Sequence, residues 1–273
     1  MNTLAHLCSQ AYALFVREWY LYRGRMGRML ISYFLIQPLS FTGGQGYLKP
    51  LMYFGYPLER KAMLVLTGSV IMYAVFRTFS FATAFFYDMN RQKQVQYQAQ
   101  MVPLWLIYGM RILFSTFFSW FFLLPILPTA KLILGRDMYT AQASWPLLVG
   151  VVGLVSLMMS SYAFMCVSAV SSMYGITKIR VRLNEILMWM GAFNAPWVVM
   201  YQSGKLWGIL GLCDPFTYGT EALRQAMVPG TDILPHWITL PALVCWSILF
   251  MCIGYALCAR TVWTGRYSTQ RPS

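Results

Sequence analysis

Apolar residues run along this chain in long blocks, separated by short polar or basic stretches. A bilayer core about 30 Å thick takes roughly 20 apolar residues in a helix to cross. Six blocks approach that length. The first runs from Met29 to about Leu48, with Gln37 and Pro38 in its middle. The second runs from Ala62 to about Tyr87 and is interrupted by Arg77; the third runs from about Leu104 to Thr129, with Arg111 in its first half. The fourth, Trp145 to Ser171, lies in a charge-free stretch between Asp137 and Lys178. The fifth is Ile186 to Gln202, and the sixth is Ile233 to Ala259, with His236 at its entrance. The pattern predicts an all-α polytopic membrane protein with six transmembrane helices.

Three further segments are not spans. Leu4, Leu7, Ala11, Leu14, Phe15, Trp19 and Tyr22 recur at helical spacing, with His6, Ser9, Gln10 and Arg17 mainly on other faces. This predicts an amphipathic helix lying in the membrane interface, followed by the basic turn Arg23–Arg28. The stretch Asp88–Gln100 is the most polar in the chain and has no Pro or Gly. It reads as a short exposed helix or a solvated loop, and as a docking surface for a partner in the helical case. Leu206–Cys213 is apolar but too short to cross, and Asp214 then offers an N-cap with Pro215 at the first helical position. Pro229 and Gly230 stop that helix. Two short helices that enter from outside and turn back make a re-entrant hairpin, which membranes tolerate only inside protein or beside a water-filled cavity. The expected layout is one transmembrane domain: residues 1–28 interfacial helix and basic turn, 29–202 spans one to five, 203–232 external re-entrant helices, 233–260 the last span, 261–273 a cytoplasmic tail.

Composition sharpens this reading. The 273 residues are 58% hydrophobic and only 11% charged, against roughly 25% charged in soluble domains. Such a chain cannot cover a water-facing surface, which excludes a soluble enzyme, a disordered protein and a soluble nucleic-acid binder. The net charge of +13 follows topology instead. With six spans, twelve Lys and Arg residues fall on the side that holds both termini, and seven (Lys49, Arg60, Lys61, Lys131, Arg136, Lys205 and Arg224) fall on the other. Short cytoplasmic loops retain basic residues, so both termini are expected in the cytoplasm and the partner of the charge is anionic lipid, not nucleic acid. Met1–Ser9 lacks the basic flank of a cleavable signal.

Candidate chemistry is sparse. The six cysteines form no C-x-x-C pair, and no phosphate-cradling G-x-x-x-x-G-K-[ST] run occurs. His6 and His236 are the only histidines and fall on opposite sides of the expected bilayer. No catalytic or metal residue is assigned, and soft-metal binding by the methionines near Cys166 is the weaker alternative to core filling. Arg111 sits early enough in its span to snorkel to headgroups. Arg77 lies deeper, where a pore-facing or helix-paired position is expected over lipid.

Three stretches carry a resemblance. Leu14-Phe15-Val16-Arg17-Glu18, the basic turn and Gln37-Pro38 are similar to an "LFxRE", basic-turn and "(E/Q)P" opening. Gly109-Met110-Arg111 is similar to an "A-R" near the start of a third span. Asp214-Pro215-Phe216-Thr217-Tyr218-Gly219-Thr220-Glu221-Ala222-Leu223-Arg224 is close to "(N/D)P(L/F)TYxxEALR". Together they resemble the permease subunits of type-2 ABC exporters, the family of capsule and O-antigen polysaccharide exporters and daunorubicin-type drug exporters. Gly191–Pro196 departs from the family's "SG-x-x-(F/Y)P" turn. The resemblance implies a homodimer in the plasma membrane, served by two copies of a separate ATPase that holds ATP and Mg, while this chain binds no cofactor and catalyses no reaction. It implies ATPase coupling through Arg17, Glu18, Asp88, Arg91 and Lys93, and a pathway or gate at Arg77, Asp214, Pro215, Tyr218, Glu221 and Arg224. The implied substrate is a lipid-linked glycan, lipid or other amphipathic molecule. The alternatives are a drug-efflux permease of the same family and, in a different class, a membrane-embedded enzyme. Aromatic richness suits sugar stacking and an interfacial aromatic belt equally.

Overall fold

A computed structural model describes residues 3–30, 58–90, 94–134, 143–193, 195–227 and 233–264. Every regular element among them is helical. In chain order they are α1 (Thr3–Leu30), α2 (Leu58–Asn90), α3 (Gln94–Ala99), α4 (Leu104–Leu123), α5 (Ile126–Leu134) and α6 (Trp145–Ala169). After α7 (Met173–Lys178) comes a π-turn (Ile179–Leu183), then α8 (Asn184–Met190), α9 (Trp197–Ser203), α10 (Lys205–Cys213), α11 (Pro215–Met227) and α12 (His236–Thr264).

Four helical segments among the described residues are long and apolar enough to cross a membrane: Leu66–Met89, Leu104–Leu132, Trp145–Ala169 and His236–Trp263. They match the second, third, fourth and sixth blocks, and they give the chain the character of a multi-pass membrane protein. The first block lies, beyond Leu30, outside the described residues. The fifth is not one helix. It is divided into α8 and α9, seven residues each, or about 10 Å at 1.5 Å per residue. Ala192 adopts the left-handed conformation (φ 50°), and Pro196 has no N–H to continue the ladder. Neither half can span a bilayer.

α6 is the central helix and contacts α2, α4, α11 and α12. Its hydroxyls bond to their own backbone, Ser156 to the Val152 carbonyl and Ser161 to the Leu157 carbonyl, both at 2.8 Å. The Ser115 and Ser160 hydroxyls meet at 3.1 Å between α4 and α6. Small polar residues of this kind allow close helix packing where no hydrophobic effect drives association. Ring contacts set the helix directions. Phe85 near the end of α2, Tyr108 near the start of α4 and Phe164 near the end of α6 form one cluster, and Tyr255 of α12 stands 6.2 Å from Tyr108. The ends of α2, α6 and α12 therefore share one face of the bundle with the start of α4. Lys178, Arg180, Arg182 and Arg260 lie beside that face in sequence.

α1 departs from a helix lying free in the interface. Its apolar stripe packs on protein: Phe15 stands edge-on to Phe114 at 5.3 Å, and Tyr22 lies 5.0 Å from Phe81 and 5.6 Å from Phe114. Leu14 joins the core. The opposite side shows Tyr12, Tyr20 and Leu21 to the exterior.

Candidate functional site

Two buried polar clusters stand out in an otherwise apolar bundle. The first joins α1, α2, α3 and α4. Arg111 of α4 places Nε 3.1 Å from Glu18 Oε1 and an Nη 2.6 Å from Asp88 Oδ2. Arg17 lies 2.9 Å from the same Glu18 oxygen and 3.6 Å from Asp88. Its second Nη donates to Gln94 Oε1 at 2.6 Å. Two arginines thus face two carboxylates, so the formal charges cancel. Glu18 is 4% and Arg111 6% exposed. Burial pushes the Glu18 carboxyl above its ordinary pKa, and Arg111 and then Arg17 pull it back. Gln10 adds a bond from its amide to the Met101 carbonyl at 3.3 Å.

This geometry changes one expectation. Arg111 does not snorkel to headgroups: its guanidinium is held by two carboxylates and faces the Phe85 ring at 5.6 Å. Arg17, Glu18 and Asp88, assigned by resemblance to ATPase coupling, come together with Arg111 in an internal junction. Arg91 and Lys93, also assigned to coupling, lie outside the described residues. The stretch between α2 and α4 does form a short helix, α3, with Tyr97 and Met101 exposed around it.

Arg77, about three helical turns before Asp88 in α2, is 3% exposed. Its guanidinium is flanked by the rings of Phe81 (4.8 Å) and Phe122 (4.5 Å). The protein interior, not lipid, surrounds it, and cation–π contact favours its charge there.

The second cluster is built on α11. Asp214 caps this helix, its Oδ1 accepting the Phe216 N–H at 2.8 Å, and Pro215 opens it. Asp214 Oδ2 is buried and has no hydrogen-bond partner. Tyr218 donates its hydroxyl to the Leu212 carbonyl at 2.7 Å, tying α11 back to α10. One turn on, Arg224 forms an ion pair with Glu221 at 2.8 Å, with both side chains fully buried. Arg224 also donates to the carbonyls of Ala192 (2.5 Å), Ala195 (3.1 Å) and Phe193 (3.0 Å). Glu221 accepts the backbone N–H groups of Trp197 (3.1 Å) and Leu234 (3.0 Å). The pair therefore closes the interruption between α8 and α9 and ties it to the entrance of α12. The two residues stand three apart on one helix, and the bundle desolvates their pair completely.

Gly191 makes this approach possible. A Cβ there would stand 2.9 Å from Phe216 Cβ and 2.7 Å from the Leu187 carbonyl. On the other side of the interruption, a Cβ on Gly68 of α2 would stand 2.5 Å from the Phe193 carbonyl. One connection has no sequence signal of its own. Tyr162 of α6 donates to Asn184 Oδ1 at 2.9 Å, and its ring meets Phe79, Phe216 and Phe250. It joins α2, α8, α11 and α12 at one side chain.

Among the described residues no three His, Cys, Asp or Glu side chains gather as a metal site. Comparison with protein-family models and with curated proteins finds no match to this chain.

Proposed function

We propose that the chain is the transmembrane subunit of a type-2 ABC exporter. In this reading it forms the substrate pathway as a homodimer in the plasma membrane, with both termini cytoplasmic, and two copies of a separate ATPase supply ATP hydrolysis. One observation carries the proposal. Two stretches that resemble separate family motifs, Arg17-Glu18 and Arg111, lie far apart in sequence and meet at one buried ion-pair junction. The junction also takes in Asp88 and Gln94, from the polar connection expected to face the ATPase. Movement of that connection would be passed directly to α1 and α4.

The re-entrant reading of α10 and α11 draws support from two contacts. The Ser144 N–H, just before α6, donates to the Ala226 carbonyl near the end of α11 at 3.0 Å. At the other end of α11, Phe216 meets Tyr162, well along α6, with ring centroids 5.5 Å apart. α11 thus lies along a large part of a helix long enough to span the bilayer. The exported molecule is of the lipid, lipid-linked glycan or amphipathic class.

The test is co-expression with candidate ATPases encoded beside this chain, followed by purification in detergent. The isolated chain should hydrolyse no ATP, and vanadate-sensitive turnover should appear only with a co-purified ATPase. Arg111→Ala should uncouple that ATPase from transport. Robust hydrolysis by the chain alone would end this reading.

A further inference from the structure

α9 and α10 fold against each other as a hairpin of their own. Trp197 Nε1 donates to the Gly208 carbonyl at 2.7 Å, and the Trp197 and Tyr201 rings stack with centroids 5.4 Å apart. Beside this stack lies a groove of about 310 Å³ lined by Ala195, Val199, Met200, Ser203 and Trp207. No lining residue is charged. At roughly 30 Å³ per water-sized group, the space holds a string of about ten such groups, at the small end of ligand sites. Leu206, Trp207 and Ile209 are exposed around it, so the groove opens onto an apolar exterior where water is a poor occupant.

The polar groups gather at one end. Gln202, Ser203 and Lys205 surround the Gly204 turn, and all three are exposed. From Trp197 to Cys213 the hairpin has no acidic residue. A second copy set hairpin to hairpin would bring Lys205 against its symmetry mate with no counter-charge. The arrangement is that of an amphiphile's counterpart: an apolar trough, with the exposed Lys205 in the turn between the lining residues Ser203 and Trp207.

We propose that this groove binds an anionic phospholipid of the bilayer, one acyl chain lying along Val199, Met200 and Trp207 and the headgroup phosphate at Lys205. A lysine ammonium serves as a point charge for phosphate. The site requires neither the ATPase nor export, so it stands or falls separately from the transport reading.

The test uses the purified full chain in nanodiscs and phospholipids brominated on the acyl chain, which quench nearby tryptophan. Brominated phosphatidylglycerol should quench the Trp207 emission, taken as the difference between wild type and Trp207→Phe, at a several-fold lower mole fraction than brominated phosphatidylcholine. Lys205→Glu should abolish that preference and Lys205→Gln should weaken it; Lys205 is exposed, and unchanged helicity by circular dichroism verifies each variant's fold. Equal quenching by the two lipids in wild type, or an unaltered preference in Lys205→Glu, would overturn the proposal and leave an aromatic belt without a defined site.

Discussion

Arg111 of α4 and Glu18 of α1 are joined at 3.1 Å, both almost wholly buried, so the first helix of the chain is fastened to the bundle by charge as well as by aromatic packing. Removing one partner of such a pair leaves an uncompensated buried charge, which costs about 3–5 kcal/mol. Arg111→Ala should therefore lower the thermal unfolding midpoint of the detergent-solubilised protein clearly. Arg111→Lys should recover only part of the loss, because an ammonium cannot reproduce the fork to Glu18 and Asp88. A midpoint within a degree of wild type in Arg111→Ala would show that the junction does not hold α1.

The Glu221–Arg224 pair calls for a double-mutant cycle. Each single change to Ala strands the other charge and several backbone groups, and should destabilise by about 3 kcal/mol or more. The double variant should lose less than the sum of the two. Strict additivity in chemical unfolding would contradict the pairing.

Gly68→Ala tests the contact between α2 and the interruption. The added methyl meets a backbone carbonyl that cannot rotate away, and overpacking of this kind costs about 1–3 kcal/mol. Gly109, which has open space where its Cβ would stand, provides the control: Gly109→Ala should be neutral or stabilising by thermal unfolding.

Tyr162→Phe removes one buried hydroxyl and leaves the ring contacts in place. The loss should be about 1–2 kcal/mol, since Asn184 keeps only its amide bond to the Arg180 carbonyl. Hydrogen exchange should quicken in α8 before it does in α6.

Sidedness can be read with single cysteines in a cysteine-free background. Under the proposed orientation an impermeant thiol reagent applied from outside should label Lys205→Cys and not Arg180→Cys. The reverse pattern would invert the topology.

Long apolar runs made α2, α4, α6 and α12 legible in the sequence, because length and hydropathy alone decide whether a helix can span. The Asp214 cap was legible for a local reason: its partner is two residues away. The division of the fifth block was harder to see. Gly191 and Pro196 were visible, but an apolar run containing them reads as a kinked span until Arg224 is known to occupy the gap. The same distance in sequence concealed the burial of Glu221. Its partners Trp197 and Leu234 contribute only main-chain N–H groups, which leave no mark on residue type. Gln94 and Asn184 were likewise illegible, each being an ordinary polar residue until a tertiary contact gives it a role.

The fork that Arg224 places on three carbonyls does for the interruption what a further turn of helix does elsewhere: it brings a donor to the main-chain carbonyls of Ala192, Phe193 and Ala195. Because one guanidinium answers them together, they are also released together. Partial bending at Ala192–Pro196 therefore has little to gain, since any movement that frees one carbonyl endangers the rest and the Glu221 carboxylate with them. The mechanics are those of a latch with two settings, and under the proposed transport reading such a joint would let a path open and shut without leaking in between.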